Sequence, residues 1–138
     1  GMGWLSRLFG GAPEPPKRPP ATKHLEGDGS FDFDIVGESH YQDALERIVG
    51  GRTDESVEFE CIASLVCEDD NPYDSNAVAV YINGQKVGHL ARPVAAGFRD
   101  IQRRHGWVGQ IVTADAMIVG GWDRGSRGKG DFGVKLDI

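Results

Sequence analysis

Short apolar segments that alternate with glycine-containing turns run from residue 31 to the end of this chain, in which 20 of 138 residues are glycine. The β-rich, partly alternating character of these segments is typical of half-buried strands. Asn83-Gly84, which separates two of them, is a strong signal for a two-residue hairpin turn. The pattern predicts six strands, at residues 31–36, 57–66, 76–82, 85–90, 108–119 and 131–138.

Two other segments place their apolar residues at helical spacing instead. Residues 41–49 end at Gly50-Gly51, and residues 93–104 begin with a proline and end before His105-Gly106. Proline at the start and glycine after the end are typical helix boundaries. We therefore predict a mostly β fold with two short helices, arranged as a six-stranded OB-like or SH3-like small barrel.

The chain length fits one domain, because single hydrophobic cores are most often built from roughly 100–150 residues. We predict that the barrel occupies residues 29–138, and that residues 1–28 form an apolar N-terminal segment and a proline-rich linker. The apolar residues within 3–9 have helical spacing, and residues 12–20 have the proline content of an extended linker. The seven residues at 3–9, with one basic side chain, are too few to hold a membrane surface. We therefore favour a tail that packs on its own domain or on a second copy, as in a homodimer, over one that docks on a membrane or in a partner's groove.

The two cysteines indicate a reducing compartment. Cys61 and Cys67 are six residues apart in one predicted strand, hence about 20 Å apart along it, which is too far for a disulfide. No apolar run approaches the roughly 20 residues that span a bilayer, and no secretory signal is recognisable. We expect a cytoplasmic protein without a membrane span.

Nothing in the sequence indicates an enzyme. The four histidines are scattered without the paired spacing that zinc ligands need, so no metal site is expected. The glycine-rich loop at residues 120–130 is followed by no P-loop lysine. Ser39 and His40 are chain neighbours whose side chains would diverge, which is a weak arrangement for a nucleophile and its base. We expect a non-enzymatic binding module without a cofactor.

Charge is distributed unevenly along the chain. The net charge is −6, but residues 26–84 carry two basic and fifteen acidic residues, whereas residues 85–138 carry nine basic and five acidic residues. A chain polarised in this way can present a basic face to an anionic ligand although the whole is acidic. In loop 120–130, the cations Arg124, Arg127 and Lys129 would either grip phosphates or be solvated, and Trp122 would be either a core anchor or a stacking platform.

The polar loop at residues 68–76 carries the most informative side chains. Tyr73 at its tip would either fold back to cap the barrel or offer a stacking surface for a flat ligand, with Asp74 as an adjacent acceptor. His40 also stands at the end of an element, where ligand contacts concentrate. Arg92 precedes Pro93 at a predicted helix start, where backbone N–H groups and a guanidinium would suit a phosphate, and His89 lies close by in the sequence.

Three blocks of sequence together resemble the HIRAN domain family. They are Val-Gly-Glu-Ser-His-Tyr-Gln at 36–42, Asp-Asn-Pro-Tyr-Asp-Ser-Asn-Ala-Val-Ala-Val at 70–80, and Gly-Gln-Lys-Val-Gly-His-Leu-Ala-Arg at 84–92. The family occurs as a stand-alone bacterial protein and at the N-terminus of certain DNA translocases. The resemblance covers residues 30–138 and implies an OB-like barrel that binds single-stranded DNA at a free 3′ end. It also suggests a DNA repair or replication enzyme as a partner.

The resemblance implies a role for each matching residue. Tyr73 would stack on the terminal base, and Asp74 would accept a hydrogen bond from the 3′-hydroxyl. His89 and Arg92 would contact the DNA backbone, with Arg92 in place of a lysine. Phe132, before the last strand, would flank the bases.

Two positions of this implied DNA site depart from the family pattern. Ser39 stands in place of an arginine that contacts phosphate, and His40 in place of a tyrosine that contacts a base, so we expect weaker binding. The alternative function is a protein-interaction adaptor that docks through its acidic face or its apolar N-terminal segment. DNA binding should fall steeply with salt and need Tyr73 and Arg92, whereas an adaptor interface should not.

Overall fold

A computed structural model describes residues 23–138 and contains seven strands and two helices. The predicted N-terminal helix at 3–9 and linker at 12–20 lie outside these residues. The strands are β1 (Lys23–Leu25), β2 (Phe33–Asp34), β3 (Val57–Cys67), β4 (Val78–Ile82), β5 (Gln85–His89), β6 (Val112–Gly120) and β7 (Phe132–Asp137). The helices are α1 (Gln42–Val49) and α2 (Arg92–His105), and the 3₁₀ turns are Glu38–His40 and Gly125–Arg127. The predicted mostly β class is confirmed, with seven strands rather than six.

The strands form one curled sheet in the order β2-β7-β6-β3-β4-β5. All neighbours along this path are antiparallel, and the Asn83-Gly84 hairpin joins β4 to β5 as predicted. Val36, two residues after β2, pairs with His89 of β5, so the two ends of the path meet. This pairing curls the sheet into the predicted small barrel.

The additional strand, β1, lies within residues 1–28, which are predicted to form an apolar segment and a proline-rich linker outside the barrel. Residues 23–25 pair in parallel with residues 112–114 of β6. The turn that follows is held by Asp137, whose two carboxylate oxygens each lie 3.0 Å from the backbone N–H of Gly29. Three residues are too few to show a period, so no local pattern indicates this strand. The domain boundary at residue 29 stays a prediction.

The core lies between the concave face of the sheet and the two helices. Alternate residues of β6 are buried, as expected for a strand with one face in the core. Leu45 from α1 and Phe98 from α2 are buried against this face. The other large contributors are strand residues, namely Leu65, Val78, Val80, Ile82, Val87, Val112, Ile118, Phe132, Val134 and Leu136.

Cys61 and Cys67 are both free and half-buried on β3. Burial raises the pKa of the Cys61 thiol to about 11, so this sulfur is a thiol at neutral pH. Within residues 23–138, no group of three or more His, Cys, Asp or Glu side chains is arranged to hold a metal ion. None of the helices in the same residues is long and apolar enough to cross a membrane.

Candidate functional site

The loop between β3 and β4 holds Tyr73 in the open. Oδ1 of Asn71 accepts hydrogen bonds from the backbone N–H groups of Tyr73 (2.8 Å) and Asp74 (3.1 Å). Oδ1 of Asp74 in turn accepts one from the backbone N–H of Asn76 at 2.9 Å. These bonds fix the loop, and the Tyr73 side chain projects from it with 89% of its surface exposed. The ring does not cap the barrel and leaves its faces available to a ligand.

Asp74, the residue after Tyr73, lies beside Arg92. Oδ2 of Asp74 is 3.8 Å from Nε of Arg92, the first residue of α2. The Arg92 side chain is 79% exposed, whereas the Asp74 side chain is about one-quarter exposed. The pair therefore presents a hydrogen-bond acceptor and a solvent-accessible cation within a few ångströms of each other.

Glu68, at the start of the loop, collects three hydrogen bonds. Its carboxylate accepts from Nζ of Lys86 at 2.6 Å, from Nε2 of His89 at 2.8 Å and from Nδ2 of Asn71 at 3.0 Å. Burial alone would raise the pKa of Glu68, but the bonds from Lys86, His89 and Asn71 outweigh it and hold the pKa at about 2. Glu68 is therefore ionised at neutral pH, and it orients the side chains of Lys86 and His89 on β5.

Arg99 fastens the same loop to α2. Its guanidinium donates to the backbone carbonyls of Asn76 (3.1 Å) and Ala77 (3.0 Å) and to the carboxylate of Asp69. Because both ends of the loop are tied down in this way, the backbone that carries Tyr73 is held in place before any ligand arrives.

Ser39 and His40 lie in the 3₁₀ turn that follows the Val36–His89 pairing. Both are exposed, and they line a shallow cavity of about 260 Å³ together with Arg47. Oε2 of the preceding Glu38 accepts from the backbone N–H of Val134 at 3.1 Å, which anchors the turn to β7. The structure thus brings this turn to β5, next to His89, on the opposite side of that strand from β4.

The structure places Phe132 in the core and contradicts the expectation that its ring flanks a base. The side chain is 2% exposed, and the guanidinium of Arg52 covers the ring at 4.6 Å from its centroid. The backbone of Phe132 is held by Gln42, which accepts from its N–H at 2.7 Å and donates to its carbonyl at 3.0 Å. A ring that is buried among aliphatic side chains has no face left for stacking, so Phe132 is a core residue.

Some side chains of the glycine-rich loop 120–130 are already engaged in contacts within the protein. The guanidinium of Arg124 lies 4.5 Å from the ring centroid of Trp122, and its Nε donates to the backbone carbonyl of Asp54 at 3.1 Å. Trp122 thus anchors the loop and has one face covered. Arg127 and Lys129 are exposed and have no ion pair in the described part of the chain.

Sequence reasoning missed the residues that organise the site, namely Glu68, Asn71, Lys86 and Arg99. The first three lie inside the sequence blocks already singled out or directly beside them. The roles of Glu68, Lys86 and Arg99 depend on contacts across 18 to 30 positions, for which the sequence has no local signal. The Asn-Pro pair at 71–72 did mark a turn, and an asparagine that hydrogen-bonds its own loop is a common device there.

Comparisons with known proteins show which family this sequence matches. A model of the HIRAN domain family matches residues 28–110, more than half of the chain. Among solved structures, the HIRAN domain of human HLTF is similar at 21% sequence identity with a TM-score of 0.39, over 75% of this chain and 71% of that one. A comparison with curated proteins finds no match. HIRAN domains are nucleic-acid-binding modules rather than catalytic domains. The chain belongs to the HIRAN domain family.

Proposed function

We propose that this domain binds single-stranded DNA at a free 3′ end. The observation that carries the proposal is the exposed ring of Tyr73 beside the carboxylate of Asp74, on a loop fixed by Asn71 and Arg99. Stacking of a base on such a ring contributes about 1–3 kcal/mol and reads no sequence. The domain therefore binds ends of many sequences rather than one motif.

Asp74 supplies the preference for a hydroxyl end. Its Oδ1 is already bonded to the backbone of Asn76, whereas Oδ2 has only the longer 3.8 Å contact with Arg92. A 3′-hydroxyl can donate to Oδ2. A phosphate at the same position would bring two negative charges together, which disfavours internal positions and phosphorylated ends.

Arg92 and His89 contact the DNA backbone. The exposed side chain of Arg92 reaches the phosphate that precedes the terminal nucleoside, and His89, whose ring is oriented by Glu68, contacts a neighbouring phosphate. Ser39 and His40, on the neighbouring turn, contact the next nucleotide. Because a hydroxyl and an imidazole replace a guanidinium and a phenol ring there, the affinity is lower than the family pattern would give.

This function suits a cytoplasmic partner of an enzyme that repairs or replicates DNA, because such enzymes create and consume free 3′ ends. The exposed cations Arg127 and Lys129 extend the contact if the strand passes loop 120–130. Binding then depends on salt, as every phosphate contact does.

The test is a fluorescence-anisotropy titration of the full chain with three labelled ligands at low and moderate salt. They are a short oligonucleotide with a 3′-hydroxyl, its 3′-phosphate twin and a blunt duplex. We expect tight binding to the first alone and a clear loss of affinity at moderate salt. Equal binding to the two single strands would refute end recognition, and no binding to any ligand would favour the adaptor function.

A further inference from the structure

The first half of β3 has an unpaired edge. On one side, residues 57–65 pair with β6, but on the other side β4 covers only residues 63–67. Ile82 is the last residue of β4 and lies opposite Ala63, and Asn83, with φ of 56°, then turns the chain away into β5. In the structure of residues 23–138, no strand pairs with residues 57–62 on this side. About 20 Å of main chain is therefore open to pairing.

The side chains along this edge point alternately to the two faces of the sheet. Glu58, Glu60 and Ile62 point to the outer face of the sheet, and Phe59 and Cys61 point to the core face. Phe59 is 37% exposed and Ile62 52% exposed, although both are large and apolar. Part of the core face of β3 is therefore left uncovered by the other elements of the described structure.

The two glutamates of the edge are not neutralised by their surroundings. Neither Glu58 nor Glu60 forms an ion pair with a described residue, and Asp54 and Glu55 just before the strand are exposed as well. Two copies of this edge would bring four carboxylates together, which disfavours pairing with a second copy of the chain. A cationic strand meets no such barrier.

We propose that residues 57–62 of β3 form a docking site for an extended segment of a protein partner in which basic residues alternate with apolar ones. Such a segment would add a strand to the sheet in line with β4. Its main chain would pair with the open edge, and backbone pairing supplies affinity in this mode. One face would bring its basic side chains to Glu58 and Glu60, and the other would cover Phe59.

This docking site is separate from the proposed DNA site. Glu68 follows the opposite end of β3, about 20 Å from Ile62 along an extended strand. A domain that holds a DNA end at loop 68–77 can therefore hold a protein segment at residues 57–62 at the same time. The proposal does not depend on DNA binding, and it gives the acidic-face adaptor function a defined surface.

The test is a titration of the full isotope-labelled chain with a synthetic peptide of alternating lysine and valine residues. We expect saturable binding and at least tenfold slower hydrogen exchange at the edge-facing amides within residues 57–62. The same peptide N-methylated at alternate residues, and a glutamate–valine peptide, should not bind. Binding without added protection at residues 57–62, equal binding of the N-methylated peptide, or no binding at all would overturn the proposal.

Charge-reversal variants distinguish binding at this edge from nonspecific attraction of a basic peptide to an acidic protein. The double variant Glu58→Lys/Glu60→Lys should bind the lysine–valine peptide at least tenfold more weakly than the parent does. It should also bind the glutamate–valine peptide, which the parent should not bind. The matched control Glu26→Lys/Asp43→Lys changes the net charge equally at two exposed positions elsewhere and should bind as the parent does. Equal losses in both double variants would contradict a site at β3. Tyr73→Ala should leave peptide binding unchanged. Failure of the DNA proposal can therefore be distinguished from failure of the docking-site proposal.

Discussion

Oε1 of Glu68 lies 2.8 Å from Nε2 of His89, and this bond joins the loop of Tyr73 to the strand beside the Ser39–His40 turn. The backbone of His89 pairs with Val36 on the other side, with both hydrogen bonds at 2.9 Å. One residue of β5 therefore contacts both segments that carry the candidate ligand-binding side chains.

Replacing Glu68 by glutamine should destabilise the fold by about 1–2 kcal/mol at pH 7, because hydrogen bonds to a charged group are lost. The pKa of Glu68 is about 2 in the folded protein, against an ordinary value of 4.5. The folded state thus keeps the charge to lower pH than the unfolded state, so this stabilisation is complete above about pH 4.5 and is lost as the pH falls through about 2. Urea unfolding at several pH values measures it.

The difference between parent and Glu68→Gln should therefore shrink as the pH falls from 4.5 towards 2. Glu26→Gln, at an exposed position, serves as the control and should show no such trend. A difference that is the same at every pH would mean that the charge of Glu68 contributes nothing.

Tyr73→Ala should weaken binding of the 3′-hydroxyl oligonucleotide by about 1–3 kcal/mol, or roughly 5-fold to 150-fold, through lost stacking. Because the ring is 89% exposed, the free energy of unfolding should change by no more than about 0.5 kcal/mol. Anisotropy and urea unfolding measure the two effects. Tyr73→Phe keeps the ring and should retain most of the affinity. Equal affinities for parent and alanine variant would remove Tyr73 from the site.

Asp74→Asn should reduce the preference for a 3′-hydroxyl over a 3′-phosphate by roughly tenfold, which corresponds to about 1.4 kcal/mol. Asparagine keeps an acceptor for the backbone of Asn76, so the loop should stay folded. The measured quantity is the ratio of the two dissociation constants. An unchanged ratio would count against a contact between Asp74 and the terminal hydroxyl.

Phe132→Leu should lower the stability by about 1–3 kcal/mol, below the 3–5 kcal/mol typical of a buried Phe→Ala change. At temperatures where the variant is folded, its affinity for the oligonucleotide should match that of the parent, because the ring lies in the core. Thermal unfolding and anisotropy are measured on the same sample. A loss of affinity without a loss of stability would restore a direct role of Phe132 in binding.

Gly88→Ala should disrupt the pairing between Val36 and β5. A Cβ at position 88 would lie 2.6 Å from the carbonyl oxygen of Val36 and 2.8 Å from Cδ1 of Ile35. We expect a stability loss of about 1–3 kcal/mol, as for other overpacked sites. Gly97→Ala is the matched control, because its Cβ meets nothing and alanine is the better residue within α2. Equal effects of the two changes on unfolding would argue against a close approach at Gly88.

The sequence by itself determined the elements whose signals are local. Alternation marked β3 and β6, the Asn83-Gly84 pair marked the hairpin, and helical spacing marked α1 and α2, because each depends on residues a few positions apart. It also indicated Tyr73 and Asp74 as candidate ligand contacts, since a tyrosine at the tip of a polar loop is unusual for a turn.

Only the tertiary structure decided which distant residues meet. The pairing of β1 with β6, the bonds of Glu68 to Lys86 and His89, and the open edge of β3 all follow from how the sheet curls. Phe132 has the same sequence context whether its ring faces a ligand or the core, and it is buried because β7 presents that face to the core. Burial and pairing are properties of the whole chain, so no local pattern could have fixed them.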